Sequence, residues 1–227
     1  MAHGRERRER WTNRYQRMDG EQFGWFLPVA PRQLIELLDG PSAPKPGRAL
    51  DLGCGPGVAT CELSGRFDQA VGLDYAYPAL ERARERLAAE GRTAWLLAAD
   101  AAGLPFCGGS FNLLFDRGCL QNIPRGRWEA YFREVTRVLT LEGVLQLLCS
   151  RTTRRPKLLS ARGIKVRLRA VVSEPTRLSG PQWLSHDLLR QLAEPGLVVD
   201  TLEDFPFVTR GGDQRTFTHA IFRRIAA

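Results

Sequence analysis

Three glycines and two aspartates are the residues whose types and spacing indicate chemistry. Gly53, Gly55 and Gly57 stand at alternate positions of one short loop, where the missing side chains let a ligand approach the backbone closely. Asp74 and Asp100 each end an apolar run further along the chain. A carboxylate in such a place can accept hydrogen bonds from the hydroxyls of a ribose. The combination indicates a binding site for a cofactor that contains a nucleoside.

The spacing of the glycines separates two kinds of nucleotide site. A dinucleotide fold needs the pattern G-x-G-x-x-G. Counting from Gly53 places Val58 in the third glycine position, and counting from Gly55 places Thr60 there. Both frames fail, so the sequence argues against an NAD-dependent oxidoreductase. An acidic residue, Asp51, instead precedes the first glycine by two places.

These residues lie in a segment where short apolar runs alternate with helical patterns. Predicted strands cover residues 48–52, 70–73, 94–99, 111–115 and 144–149. The alternation is typical of βαβ crossovers and predicts a mostly parallel sheet with helices on both faces. Ser185 is then expected to cap a helix that Gly196 ends. Residues 197–201 and 216–222 are predicted to pair as a hairpin at one edge of the sheet.

The segments before this α/β core have a different pattern. A polar helix is predicted over residues 5–18, and Pro31 opens a second, short helix. Residues 40–47 contain three prolines and two glycines, which indicates a linker. We therefore expect one domain over residues 48–227, preceded by an N-terminal helical extension or lid over residues 1–47.

The composition is ordinary for a soluble globular protein. Hydrophobic residues make up 43% of the chain and charged residues 26%. No apolar run approaches the roughly 18 residues that a membrane-spanning helix needs, and the N-terminus lacks the apolar core of a signal peptide. The five cysteines are expected to be free thiols of a cytoplasmic protein. Cys54 and Cys61 have no histidine companion, so we expect no metal site.

The positive charge is concentrated in one segment. Eight basic residues lie between Arg151 and Ser173 with no acidic residue among them, and they equal the whole net charge of +8. We treat residues 151–175 as a basic insertion. It is a solvated loop, a lid that attracts an anionic small substrate, or a patch that contacts the phosphates of RNA. The modest total charge makes nucleic acid the least favoured partner.

The glycine loop and the later acids together carry a family resemblance. They read D-L-G-C-G-P-G over residues 51–57, G-L-D ending at Asp74, A-A-D-A around Asp100, and a fourth-strand acid, Asp116. This combination resembles the class I S-adenosylmethionine-dependent methyltransferases over residues 48–150. The resemblance implies a Rossmann-like, seven-stranded sheet and S-adenosylmethionine as the cofactor.

The resemblance also implies a role for individual residues. The glycine loop would pass under the methionine part of the cofactor, and Asp51 would help to hold its amino group. Asp74 would bind the ribose diol, with Tyr75 beside the adenine. Asp100 would take the adenine amino group and the Ala101 N–H a ring nitrogen. The implied cofactor-binding residues are Asp51, Gly53, Cys54, Gly55, Gly57, Asp74, Tyr75, Asp100, Ala101 and Asp116.

A narrower resemblance concerns the acceptor. Residues 111–124 are similar to those of the thiopurine and tellurite-resistance methyltransferases, a small-molecule type in which the residues after strand four face the reacting sulfur. Trp11 and Tyr15 look like the lid helix of that group. Residues 137–143 depart from the usual Pro-Gly-Gly turn before strand five, and we expect the turn to form on Gly143.

Five residues are candidates for contact with the acceptor. Asp116 would be a base or a positioning group, or it would orient the cofactor's amino group or a loop N–H. Arg117 would hold an anionic substrate or form a salt bridge at the strand end. His219 is either structural or directed at the pocket. Trp11 and Tyr15 would form a hydrophobic cover or contact the substrate specifically.

The predicted function is methyl transfer to sulfur, oxygen or nitrogen of a small-molecule acceptor, by in-line displacement, in a monomer or a homodimer. The alternative is an RNA or protein methyltransferase that uses the basic residues 151–173. A catalytically silent cofactor-binding subunit is a third hypothesis. Intact Asp74 and Asp100 argue against it, because a silent copy has no need of them.

Overall fold

A computed structural model of the 227-residue chain describes residues 2–17, 22–151, 184–209, 212 and 214–226. Its strands are Arg48–Leu52 (β1), Gln69–Asp74 (β2), Trp95–Ala98 (β3), Phe111–Arg117 (β4), Leu139–Arg151 (β5), Leu197–Val208 (β6) and Gln214–Arg224 (β7). Its α-helices are Ala2–Arg17 (α1), Arg32–Asp39 (α2), Val58–Ser64 (α3), Tyr77–Ala89 (α4), Trp128–Val138 (α5) and His186–Ala193 (α6). Two short 3₁₀ helices, Leu120–Asn122 and Arg125–Arg127, lie between β4 and α5.

The strands form one seven-stranded sheet in the order β3-β2-β1-β4-β5-β7-β6. The first five strands of the chain pair in parallel, and β7 pairs antiparallel with both β5 and β6. The predicted Rossmann-like, mostly parallel sheet with an antiparallel edge hairpin is confirmed. Its connectivity brings the carboxyl ends of β1, β2 and β4 to one edge, where open α/β sheets bind ligands.

Helices cover both faces of the sheet, as the apolar runs predict. On one face, Leu50 belongs to a buried cluster with Trp128 and Tyr131 of α5. On the other face, Ala49 belongs to a second cluster with Leu34 of α2. Because helices cover both faces, four of the five residues of β1 are buried, and Arg48 is the exposed one.

The last helix begins as predicted but ends early. The Ser185 hydroxyl accepts a hydrogen bond from the Leu188 N–H at 3.2 Å, which confirms the cap. The helix ends at Ala193 rather than at Gly196. Pro195 accounts for the difference, because a proline disfavours the helical conformation of the residue before it. Glu194 is accordingly extended, with φ −74° and ψ 146°.

Strand β5 starts earlier than predicted, at Leu139 instead of residue 144. Its pairing with β4 shifts register between the pairs Phe111–Leu139 and Leu113–Val144, so the extra residues of β5 form an irregular turn within the strand. The left-handed residue of this turn is Glu142, with φ 64°, and not the expected Gly143. The glycine is needed for close approach, since a Cβ there would lie 2.8 Å from a backbone oxygen.

Two further predictions concern the basic insertion and membrane-spanning helices. Residues 152–183, which hold most of the basic insertion predicted at 151–175, lie outside the described residues. In the part of the chain that is described, no helix combines the length and the apolar character needed to cross a membrane.

Candidate active site

The glycine loop between β1 and α3 has a backbone that only glycine adopts readily. Gly53, Gly55 and Gly57 have φ values of 69°, 54° and 78°, in the left-handed region that side chains disfavour. A Cβ on Gly53 would lie 2.8 Å from the Cβ of Cys119, in the segment after β4. The loop therefore brings the ends of β1 and β4 into direct contact.

The N–H groups of the glycine loop are already engaged. Gly53 and Cys54 both donate to the Leu73 carbonyl, at 2.7 and 2.9 Å, and Gly57 donates to the Cys54 carbonyl at 3.0 Å. Gly55 donates to Asp74 Oδ2 at 2.9 Å. A pyrophosphate needs free donors in such a loop. The hydrogen bonding of the loop therefore agrees with the glycine spacing, which argued against a dinucleotide site.

A cavity of about 850 Å³ opens at the carboxyl ends of the central strands. Its lining comes from three parts of the chain, namely α1 with the segment after it, the central strand ends, and the β6–β7 hairpin. Of the predicted cofactor residues, the lining includes Gly53, Asp74, Tyr75, Asp100 and Ala101. The sequence prediction thus identified a set of residues that the fold brings together.

Asp74 at the end of β2 holds the glycine loop in place. Its Oδ1 accepts from the Ala76 N–H at 2.8 Å, and its Oδ2 accepts from the Gly55 N–H. Burial raises the pKa of this carboxyl, although the backbone donors oppose the change. A carboxylate can accept about four hydrogen bonds. Asp74 therefore retains acceptor capacity toward the cavity for the two hydroxyls of a ribose.

Asp100 at the end of β3 is held by three donors. Its Oδ1 accepts from the Ala102 N–H at 3.0 Å, and its Oδ2 accepts from the Arg127 guanidinium. Tyr75 also contributes a side-chain hydrogen bond. Burial alone would raise the pKa of Asp100, but these donors outweigh it and the pKa is lowered. Asp100 is therefore an ionised acceptor, directed at the cavity beside the Tyr75 ring.

Asp51 lies in a small side pocket of about 80 Å³. This pocket shares Gly53, Tyr15 and Arg117 with the main cavity. Asp51 is only 4% exposed, and its Oδ2 accepts from the Thr60 hydroxyl at 2.7 Å. Burial raises its pKa to about 7. A nearby ammonium group would favour the ionised form of this carboxyl.

Helix α1 covers the cavity and is attached to the core by two hydrogen bonds, one from an α4 side chain to α1 and one from an α1 side chain to the segment after β4. Arg82 donates to the Tyr15 carbonyl at 2.7 Å, and Arg7 donates to the Asn122 carbonyl at 3.0 Å. The Tyr15 ring is 5% exposed and packs edge-on against Phe23 at 5.1 Å between ring centroids. Both predicted lid residues, Trp11 and Tyr15, line the cavity.

The other end of the cavity is formed by arginines and aromatic rings. Arg117 donates to the Trp25 carbonyl at 2.7 Å, and its guanidinium lies 5.6 Å from the centroid of the Phe207 ring. Burial lowers the pKa of Arg117 to about 10. Arg14 of α1 lies 4.5 Å from the Trp25 ring centroid. Phe217 of β7 completes this end of the lining.

Asp116 lies beneath the loop that follows β4 and is fully buried. Its Oδ1 accepts from the Cys119 N–H at 2.8 Å, and its Oδ2 accepts from the Leu120 N–H at 3.0 Å and the Tyr131 hydroxyl at 2.7 Å. Burial raises its pKa to about 6. Asp116 is not among the described lining residues. Of the roles that the sequence left open, this geometry agrees with orienting loop N–H groups.

His219 lies below the cavity, within β7. Its ring is 8% exposed, and its Nε2 is 3.0 Å from the Gln146 amide nitrogen. Its Nδ1 is 3.2 Å from Glu203. The described lining of the cavity does not include His219, so the structure places it at a structural position and not in the predicted contact with substrate.

Sequence reasoning missed three contributors to the site. Arg127 belongs to a turn whose path no local pattern indicates. Phe207 lies in the part of β6 that extends beyond the predicted strand. Arg14 had a detectable signal, because it stands three residues after Trp11 and therefore lies on the same face of a helix.

The described residues include no group of three or more histidine, cysteine, aspartate or glutamate side chains that could hold a metal ion. The five cysteines are unpaired, and Cys54, Cys61 and Cys149 are buried. The site therefore has to be understood from its aspartates, arginines and aromatic rings.

Comparison with known proteins shows what the central segment of the chain is similar to. Residues 49–143 match the family model of the methyltransferase domain. A malonyl-[acyl-carrier protein] O-methyltransferase of Legionella pneumophila is 37% identical over 108 residues, which are 44% of this chain. The chain spans only 35% of the length of that relative.

Solved structures show the same fold over nearly the whole chain. One, from work on the conversion of a disulfide bond into a thioacetal group during echinomycin biosynthesis, has a TM-score of 0.73 at 21% identity and covers 96% of this chain and 92% of its own. A SAM-dependent methyltransferase of Methanosarcina mazei has a TM-score of 0.66 at 18% identity and covers 88% and 100%. Residues 49–143 therefore resemble a methyltransferase domain, and the chain shares its fold with solved structures that include a SAM-dependent methyltransferase.

Proposed function

We propose that the protein transfers the methyl group of S-adenosylmethionine to a small-molecule acceptor, on sulfur, oxygen or nitrogen. The observation that carries this proposal is a single cavity with two chemically different ends. Asp74 and Asp100 belong to one part of its lining, and Arg117 with the nearby Trp25 and Phe207 belongs to another. One end suits a nucleoside, and the other suits a second molecule.

The residues at the first end fit the cofactor. Asp74 keeps acceptor capacity for the ribose hydroxyls, and Asp100 is ionised and can accept from the adenine amino group. Asp51 faces the side pocket beside Gly53, where it can hold an amino group. S-adenosylmethionine, when bound, supplies an activated methyl group on a sulfonium.

The protein's contribution to the reaction is then mainly positioning. Holding two reactants in line can supply roughly 7–11 kcal/mol of the barrier reduction. Residues 1–47 act as the lid in this proposal, with Trp11 and Tyr15 excluding water from the cavity. The domain of residues 48–227 supplies the cofactor site and the floor of the acceptor site.

The acceptor is anionic in this proposal. Arg14 and Arg117 line the second end of the cavity, and neither has a carboxylate partner within the described ranges. The resemblance to the thiopurine and tellurite-resistance type places thiols first among the acceptors to be tried. We expect such an enzyme to act in secondary metabolism or detoxification.

Calorimetric titration tests the proposal. S-adenosylmethionine and, separately, NADH are titrated into the wild-type protein, Asp74→Ala and the matched control Asp68→Ala, whose carboxylate is exposed directly before β2. We expect micromolar binding of S-adenosylmethionine by the wild type and the control, and its loss in Asp74→Ala. Binding of NADH alone, or equal binding by both variants, would contradict the proposed cofactor site.

A further inference from the structure

The geometry points to an acceptor whose reacting group is itself an anion, a carboxylate or a thiolate on a flat apolar body, held by Arg117. The product is a methyl ester or a thioether. This inference rests on the proposed function and narrows the substrate class of the same site.

The charge of Arg117 is incompletely compensated inside the protein. Within the described part of the chain, its contacting partners are the Trp25 carbonyl and the Phe207 ring, and both are neutral. Asp51 raises the pKa of Arg117 electrostatically, but this effect is smaller than the opposing effect of burial. A guanidinium withdrawn from water without an anionic partner destabilises the protein. A bound anion would remove this penalty, and the cavity is the side from which it can approach.

Arg117 also lies close to the glycine loop and the side pocket that contains Asp51. It is followed directly by Gly118 and Cys119, and Cys119 lies against Gly53 of the glycine loop. Arg117 lines both the main cavity and the side pocket that contains Asp51. An anion on Arg117 is therefore next to the methionine end of the cofactor site, and not at the outer rim.

Within the main cavity, the described residues at this end include no carboxylate. Asp51 in the adjoining side pocket accepts from the Thr60 hydroxyl and belongs to the proposed site for the cofactor's amino group. Among the described residues, the acidic residues of the cavity lining are Asp74 and Asp100, and both belong to the cofactor end. Asp116 and His219 lie off the lining with their own hydrogen-bond partners. A neutral alcohol or a protonated amine needs a base as it is methylated. A carboxylate or a thiolate does not.

The reaction step balances without a proton transfer. A lone pair of the acceptor's oxygen or sulfur anion forms the new bond to the methyl carbon. The bond from that carbon to the cofactor sulfur breaks, and its electron pair returns to the sulfur, which becomes a neutral thioether. One negative and one positive charge are removed together, and no proton is released.

The walls of this end suit a planar apolar body. Trp25, Phe207 and Phe217 line it with aromatic rings, which favour flat aromatic partners. Arg14 lies over the Trp25 ring and adds positive charge beside it. An aryl carboxylate or an aryl thiolate has both the flat aromatic body and the negative charge that these walls favour.

Binding of matched probes tests the recognition step. Benzoate, neutral benzamide and cationic benzamidine are titrated into protein saturated with S-adenosylhomocysteine. We expect benzoate to bind at least about tenfold more tightly than benzamide, since a hydrogen bond to a charged group contributes about 1.5–3 kcal/mol. The preference should vanish in Arg117→Gln and persist in Arg117→Lys and in Arg125→Gln, a control on an exposed arginine.

Turnover tests the reacting group. Formation of S-adenosylhomocysteine is measured with thiophenol, benzoate, benzyl alcohol and benzylamine. We expect turnover of thiophenol or benzoate only. Faster turnover of the alcohol or the amine, turnover of none of the four, or equal binding of benzoate and benzamide would each overturn the inference.

Two further outcomes are distinct. If Arg117→Gln loses S-adenosylhomocysteine binding while the preference for benzoate persists, Arg117 belongs to the cofactor site and the inference is overturned. Failure of the wild-type protein to bind either form of the cofactor is a different result, because it removes the proposed function itself.

Discussion

The Tyr15 hydroxyl lies where a side chain on Gly55 would begin, since a Cβ built on Gly55 would be 2.8 Å from that oxygen. The two residues belong to α1 and to the glycine loop, and α2, a linker and β1 lie between them in the chain. The lid therefore packs directly on the loop that is proposed to hold the cofactor, and its position depends on the absence of a side chain there.

This contact predicts the effect of Gly55→Ala. The added methyl group would displace Tyr15 and with it α1, so we expect weaker cofactor binding by about tenfold or more, measured by calorimetry. A positive φ at a non-glycine residue also costs roughly 1–2 kcal/mol. Gly91→Ala controls for that cost, because Gly91 has φ 61° and a Cβ placed on it would have no neighbour within 4 Å.

A second variant separates displacement of the lid from strain in the loop. Adding Tyr15→Phe to Gly55→Ala removes the hydroxyl that the new methyl group meets. We expect binding to recover in the double variant relative to Gly55→Ala alone. Equal binding by the single and double variants would mean that loop strain, and not the lid contact, sets the affinity.

The buried carboxyl of Asp51 predicts a pH dependence of cofactor binding. Its pKa is raised to about 7 by burial, and the ammonium group of the cofactor would favour the ionised form. We expect the affinity to fall as the pH drops below 7, by up to about tenfold per pH unit. Calorimetry in two buffers of different ionisation heat should detect a released proton, and Asp51→Asn should abolish that release.

The same group predicts a pH dependence of stability without ligand. A carboxyl whose folded pKa is raised from 3.8 to about 7 favours the folded state fully below pH 4. That contribution is lost as the pH rises through 7. We expect the Tm of Asp51→Asn, relative to the Tm of the wild type, to be higher at pH 8 than at pH 5. A constant difference would contradict the raised pKa.

Tyr131→Phe tests whether Asp116 positions the loop or acts as a base. The variant removes one of three hydrogen bonds to a buried carboxylate, and we expect it to lower the free energy of unfolding by about 1–3 kcal/mol. Because Asp116 lies off the cavity lining, the midpoint of the pH profile of kcat/KM should not move. A shifted midpoint would indicate that Asp116 takes part in proton transfer.

Local patterns predicted the core of the fold well. Strand β1 covers the predicted residues 48–52, because its apolar residues lie between a proline-rich linker and a glycine loop that mark its two ends. Asp74 ends β2 as predicted, and the polar side chain itself marks the point where the strand leaves the core. Such signals depend on a few neighbouring residues, so one sequence is sufficient to detect them.

The rest of the site depends on contacts between distant segments. The pairing of Arg117 with the Trp25 carbonyl and of Asp100 with Arg127 follows from how loops fold back on the sheet. Helix α6 ends at Ala193 because of Pro195. The prediction relied on Gly196 as the end of the helix and did not consider this proline. The role of His219 stayed open because the sequence predicted its strand but not how far the cavity extends along that strand.

The cavity lining has a consequence for how such proteins diversify. The nucleoside end is encoded within the segment that matches the methyltransferase family, whereas α1, Phe207 and Phe217 come from either side of it in the chain. Changes at Phe207 or Phe217 can therefore alter the proposed acceptor site while leaving Asp74 and Asp100 in place, whereas changes in α1 also reach the glycine loop through Tyr15. In this architecture, the β6–β7 hairpin is the natural place for a new acceptor preference to arise.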